Sequence, residues 1–181
     1  MQIMTELIIL ILTGSFIGIL SGLLGIGGGL IVVPLLTFVL MHFHDVAFNQ
    51  AILMAIGTSL ASIIFTAAMS SYFHKKRNNM DWSIAVNYIP GVLLGASIMA
   101  LIIPHLNIAF IKHSFVIYTF IAAYEVVKSP KIKSVVQLPT FILANFYGYI
   151  IASISTIIGI GGCTMFVPYF IYHKVNPRLA V

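Results

Sequence analysis

The chain is a series of long apolar segments separated by short polar ones. Residues 3–24 are apolar apart from Glu6, and 46–73, 82–103, 108–127 and 138–158 repeat the pattern at ordinary membrane-crossing length. Shorter apolar pieces, 30–41 and 164–172, follow the first and the last of these segments. As a single helix, 3–41 would be roughly 58 Å long at 1.5 Å per residue, far more than a hydrocarbon core of about 30 Å needs. A hairpin or two discontinuous halves is therefore expected. The break falls at Gly25, Gly27, Gly28 and Gly29. Each glycine there costs about 1 kcal/mol against alanine in a helix interior.

The same interruption returns 134 residues later. Aligned without a gap, 14–34 and 148–168 share Gly14/Gly148, Ser21/Ser155, Gly25/Gly159, Ile26/Ile160, Gly27/Gly161, Gly28/Gly162, Val33/Val167 and Pro34/Pro168. Ahead of the break, Gly14, Gly18 and Gly22 lie four apart on one helix face, and Gly148, Ala152 and Thr156 take the matching places. Small residues at this spacing let membrane helices approach closely. A helix broken at membrane depth is tolerated where its loose backbone is buried in protein or lines a cavity. A duplicated broken segment is the best pointer in a sequence to a transporter's binding site.

Composition agrees with this pattern. The chain is 60% hydrophobic and 7% charged, with a mean hydropathy of +1.09, which describes an integral membrane protein and not a soluble domain. The net charge of +5 gathers in short loops, 74–81 and 128–137, so it marks orientation and not a nucleic-acid partner. Both loops are expected to be cytoplasmic, with the uncharged turn at 104–107 outside. The single cysteine excludes an intrachain disulfide and a cysteine-cluster metal site. No acid pair, nucleophile triad or metal-ligand helix is visible, and the glycine runs lack the strand–turn–helix setting of a nucleotide loop. The chain reads as a non-enzyme without cofactor or metal.

Other polar residues invite two readings each. His44 beside Asp45 reads as an interfacial connection sooner than a metal site. Lys112 and His113, five residues after a turn, read as an interfacial pair whose long side chain reaches the outer surface, with capture of an anion in transit as the rival. Gly57-Thr58-Ser59 either packs against the broken segment or turns its hydroxyls toward an anion. Cys163, where the first run has Gly29, reads as a small buried substitute for glycine.

With the twin Gly-x-Gly-Gly-Gly-x-x-x-x-Pro runs and Gly57-Thr58-Ser59 downstream of the first, the chain resembles the sulfite exporter TauE/SafE family of membrane permeases. The resemblance covers essentially all 181 residues. It implies a polytopic carrier in the bacterial inner membrane, linked to sulfite, sulfoacetate or related sulfur-containing organic anions, and it favours a place in the pathway for Gly57-Thr58-Ser59. Two departures stand out: Cys163 replaces the third glycine of the second run, and the chain stops early.

The expected architecture is all-α and polytopic. Two repeats, 1–134 and an incomplete 135–181, each open with a glycine-broken helical hairpin. Five passes before the second repeat would invert it relative to the first. An anion would be held by backbone amides at the breaks, where a half-helix begins, giving a candidate set of Gly25, Gly27, Gly28, Gly29, Pro34, Thr58, Ser59, Gly159, Gly161, Gly162, Cys163 and Pro168. The expected partners are the lipid bilayer and a small anionic substrate, with a homo-oligomer left open. The rival expectation is a membrane protein that does not transport, either an assembly partner or a truncated and inactive permease.

Overall fold

The computed structural model describes residues 2–24, 28–76, 82–128 and 139–173. The centre of the first glycine run (25–27, with Gly25 and Gly27), most of both basic loops (77–81 and 129–138) and the end of the chain (174–181) lie outside the described residues. Among those described there are seven α-helices and no strand: α1 (Gln2–Leu24), α2 (Gly29–Phe43), α3 (Phe48–Lys76), α4 (Trp82–Ile102), α5 (Ile108–Lys128), α6 (Phe141–Ile158) and α7 (Cys163–Tyr172). A single 3-10 turn, Ile103–His105, ends α4. The stretches Phe48–Lys76, Ile84–His105 and Phe141–Ile158 are long and apolar enough to cross a membrane, and Leu7–Ile19, Gly29–Phe43 and Ile108–Tyr124 are shorter apolar helices.

Local chemistry sets the helix ends. Asn107 opens α5, its Oδ1 accepting the amide hydrogen of Ala109 at 2.8 Å, as an asparagine N-cap does. Gly159 closes α6 in the left-handed conformation at φ 73°, and the amide of Ile160 reaches back to the Ser155 carbonyl at 3.0 Å. That pairing satisfies carbonyls that the last helical turn leaves open. Pro34 and Pro168 both lie inside helices, each at the sixth position. Neither has an amide hydrogen to give, so the carbonyls of Leu30 and Thr164 lose their usual intrahelical donor.

Both broken segments fold back on themselves. In the first, Leu12, Thr13, Phe16 and Ile17 of α1 share an apolar groove with Ile31 and Leu35 of α2. In the second, Tyr169 of α7 lies 5.6 Å from Tyr147 of α6, ring centre to ring centre. Tyr169 also meets Tyr88 of α4, hydroxyl to hydroxyl at 3.2 Å. The hairpins dock differently. α2 packs on α3, with Val33, Ile52, Ala55 and Ile56 joining Ile103 and Ile111 in one core.

The tightest contact joins α4 and α6. A Cβ on Gly91 would collide with the Asn145 backbone, and one on Gly95 with the Tyr149 carbonyl. One on Gly148 would come within 3.0 Å of the Tyr88 carbonyl. The pairs Gly91–Asn145 and Gly95–Tyr149 keep one register, so the two helices run parallel. Asn145 also accepts the Gly91 amide hydrogen through Oδ1 at 2.7 Å, just beyond Pro90. Close approach through glycine is the usual way for helices to associate where lipid removes the hydrophobic drive.

Candidate functional site

The two glycine runs meet, and a third element ties them. Gly29, at the start of α2, lies so close to the second break that an added Cβ would be 2.7 Å from both the Gly159 carbonyl oxygen and Ile160 Cα. That same carbonyl accepts the Ser59 hydroxyl of α3 at 2.9 Å. Ser59 is only 1% exposed, so this hydroxyl is committed to the second break. Thr58, its neighbour, is exposed and donates to the Met54 carbonyl of its own helix. On the other side Tyr118 and Ala122 of α5 pack against Ile158 and Ile160, with Leu30 and Met165 from the two half-helices.

The re-entry turns are built alike in both runs. The Gly28 carbonyl accepts the amides of Ile31 at 3.1 Å and Val32 at 2.9 Å, and the Gly162 carbonyl accepts those of Met165 at 3.0 Å and Phe166 at 2.8 Å. These are matching positions of the ungapped repeat. Each carbonyl starts its half-helix, which leaves the amides before it without an intrahelical acceptor. Among the described residues the amides of Gly161, Gly162, Cys163 and Thr164 have no backbone carbonyl partner.

A cleft of about 360 Å³ opens beside this run. Gly161 and Gly162 line it together with Ser155 and Thr156 of α6, Ser97 of α4 and Phe166 of α7. Ser155 and Thr156 both donate to the Ala152 carbonyl, at 3.1 and 2.7 Å. Because one acceptor serves two hydroxyls, either can turn to another acceptor without leaving Ala152 unpaired. Among the described residues no Lys, Arg, Asp or Glu lines the cleft, so favourable polarity toward an anion comes from amides, hydroxyls and the positive end of α7. At one edge Phe166 stacks on Phe170 at 5.6 Å and meets Tyr88 edge-on at 6.0 Å.

A family described as sulfite exporter TauE/SafE matches residues 10–181. The chain belongs to the sulfite exporter TauE/SafE family. A "Probable membrane transporter protein" of Haemophilus influenzae is 31% identical over 178 residues, which cover 98% of this chain and 67% of the relative. A "Probable membrane transporter protein" of Methanocaldococcus jannaschii is 30% identical over 96% of this chain and 64% of its own length. One of Bacillus subtilis is 35% identical over 52% of the chain and 36% of its own length. The chain thus spans about two thirds of the length of the first two. No solved structure matches it. Family and helices together make it a multi-pass protein of the membrane transporter kind.

Within this TauE/SafE chain the residues singled out by sequence separate into groups. Gly161 and Gly162 line the cleft, while Gly29, Ser59 and Gly159 form the junction behind it, and Gly28 lies against Ile17 of α1. Cys163 is the first residue of α7 and exposed, and Pro34 is exposed on α2. Gly25 and Gly27 lie outside the described residues. Lys112 sets its ammonium 4.7 Å from the centre of the Phe48 ring, a contact worth about 0.5–1 kcal/mol at an exposed site, and away from the cleft. Among the described residues no three of His, Cys, Asp or Glu come together. Sequence reasoning passed over Ser155, Thr156 and Ser97. The first two carried a signal, since Ser155 is a repeat identity with Ser21 and Thr156 ends the small-residue face; Ser97 carried none.

Proposed function

We propose that the chain acts as a carrier for small anions, sulfite or related organosulfur and organic anions, in the bacterial inner membrane. The observation that carries this reading is the run of amides at 161–164 without carbonyl partners among the described residues, placed at the start of α7 beside a cleft with three hydroxyls. Amides at a helix start attract anions without a fixed counter-charge, so an anion is held there and can still leave. In the proposed cycle, Gly161 and Gly162 present amides, and Ser155 and Thr156 turn from Ala152 toward the ligand. Ser59 holds the break open from behind. The family description names sulfite, which supports that substrate class.

The test is uptake of labelled sulfite into proteoliposomes, compared with empty vesicles. Gly162→Leu fills the cleft and favours helix where backbone must stay open, so it should abolish flux while membrane insertion and yield stay normal. The double change Ser155→Ala with Thr156→Val should weaken uptake and raise the sulfite concentration for half-saturation. Unchanged flux in both variants would place the site elsewhere.

A further inference from the structure

α1 carries the face that α6 uses to hold α4, and among the described residues nothing packs on that face of α1. In the ungapped repeat, Gly14, Gly18 and Gly22 match Gly148, Ala152 and Thr156, and Ile11 and Ile19 match Asn145 and Ser153. On α6 these positions are packed: Ala152 is 3% exposed, and Gly148 lies against the Tyr88 carbonyl and Val92. On α1, Ile11 and Ile19 are each 63% exposed, and a Cβ built on Gly14, Gly18 or Gly22 meets nothing within 4 Å.

We infer that this face of α1 is the docking surface for a membrane helix of the α4 type, one presenting two glycines four apart as Gly91 and Gly95 do. The matching α6 face, in this same molecule, accepts such a helix in parallel orientation with glycine against backbone. Three glycines weaken α1 as a helix against alanine, and lipid returns nothing for them, since lipid tails are as apolar as a leucine side chain. A helix that approaches closely does. The occupant is not the chain's own α4, because α6 already covers its glycines. Nor does charge direct a different partner, since no Lys, Arg, Asp or Glu falls between positions 7 and 24. The helix that fits is an α4 counterpart from a second repeat, and the relatives are about half as long again as the part this chain matches.

A peptide of residues 82–102 with Ala96→Cys, mixed in detergent micelles with the whole chain carrying Gly18→Cys and Cys163→Ser, tests this by disulfide formation. Ala96 and Ala152 line the same cleft, and Gly18 is the repeat match of Ala152. The chain carrying Ala96→Cys with Ala152→Cys therefore serves as the positive control. The expected result is a one-to-one adduct of peptide and chain that is lost on adding Gly14→Leu and Gly22→Leu, with far less adduct from Phe16→Cys on the opposite side of α1. A disulfide-linked dimer of the chain through Gly18 as the main product would mean that a second copy covers this face. Equal adduct at Phe16 would mean that no specific face exists. Either outcome, or no adduct while the control pair forms, overturns the proposal.

Discussion

Gly28 and Gly29 are adjacent glycines with opposite tolerances. At Gly28 an added Cβ would find side chains of Ile17 and Val32 at 3.8 Å, ordinary contact. At Gly29 it would press on the backbone of Gly159 and Ile160 at 2.7 Å, and neither can swing aside. Gly29→Ala should therefore destabilise the protein by about 1–3 kcal/mol, as overpacking does, while Gly28→Ala stays near neutral. Thermal unfolding in detergent, followed by circular dichroism, checks both, and equal losses would contradict the junction described above. Ser59 makes a second test at this junction. Ser59→Ala removes the bond to the Gly159 carbonyl and should cost about 0.6–1.7 kcal/mol, the range for hydrogen bonds between membrane helices. Thr58→Val removes only a bond within its own helix and should cost less. A larger loss from Thr58→Val would show that the exposed residue is the structural one.

Among the elements, α4 and α6 carry the closest packing, and bulk at their contact should separate them. Gly91→Leu and Gly95→Leu each set a side chain into the backbone of α6, so both should yield chains that insert but are cut rapidly by protease. Gly57→Leu, where the surrounding space is open, should resist like the parent. Limited proteolysis of the three variants in native membranes separates these outcomes. The reasons differ for what the sequence made legible at this scale. The helices follow from apolar runs whose length a bilayer dictates, and both interruptions follow from glycine, whose cost in a helix is local. The pairing of Gly91 with Asn145 was not legible, because a small residue advertises that something comes close and not what it is. Nor was the division between Thr58 and Ser59. Successive helical residues point about 100° apart, and only the placement of the second break tells which one faces it.

For the whole molecule, contacts within the fold bear on how it sits in the bilayer. Lys112 near the start of α5 lies over Phe48 at the start of α3, and Ile103 at the end of α4 shares a core with Ile52 and Ile111. The starts of α3 and α5 and the end of α4 thus lie at one end of the bundle. With 29, 21 and 21 residues, these helices are about 32–44 Å long at 1.5 Å per residue, enough to carry their other ends to the opposite side. That side holds Lys75 and Lys76 at the end of α3 and Lys128 at the end of α5, and α6 starts there too, since it runs parallel to α4. Six of the nine Lys and Arg residues fall in 74–81 and 128–137, the segments that follow α3 and α5, and basic loops stay in the cytoplasm. Both loops should therefore be cytoplasmic, with Pro104, His105 and Asn107 on the outer side. Single-cysteine variants Asn79→Cys, Ser134→Cys and Asn107→Cys, made on a Cys163→Ser background, test this with an impermeant maleimide on intact cells. Asn107→Cys should label directly, and the other two only after the membrane is opened. Labelling of Asn79→Cys or Ser134→Cys from outside would reverse or break the orientation, because the two basic loops are separated by two crossings and must share one side.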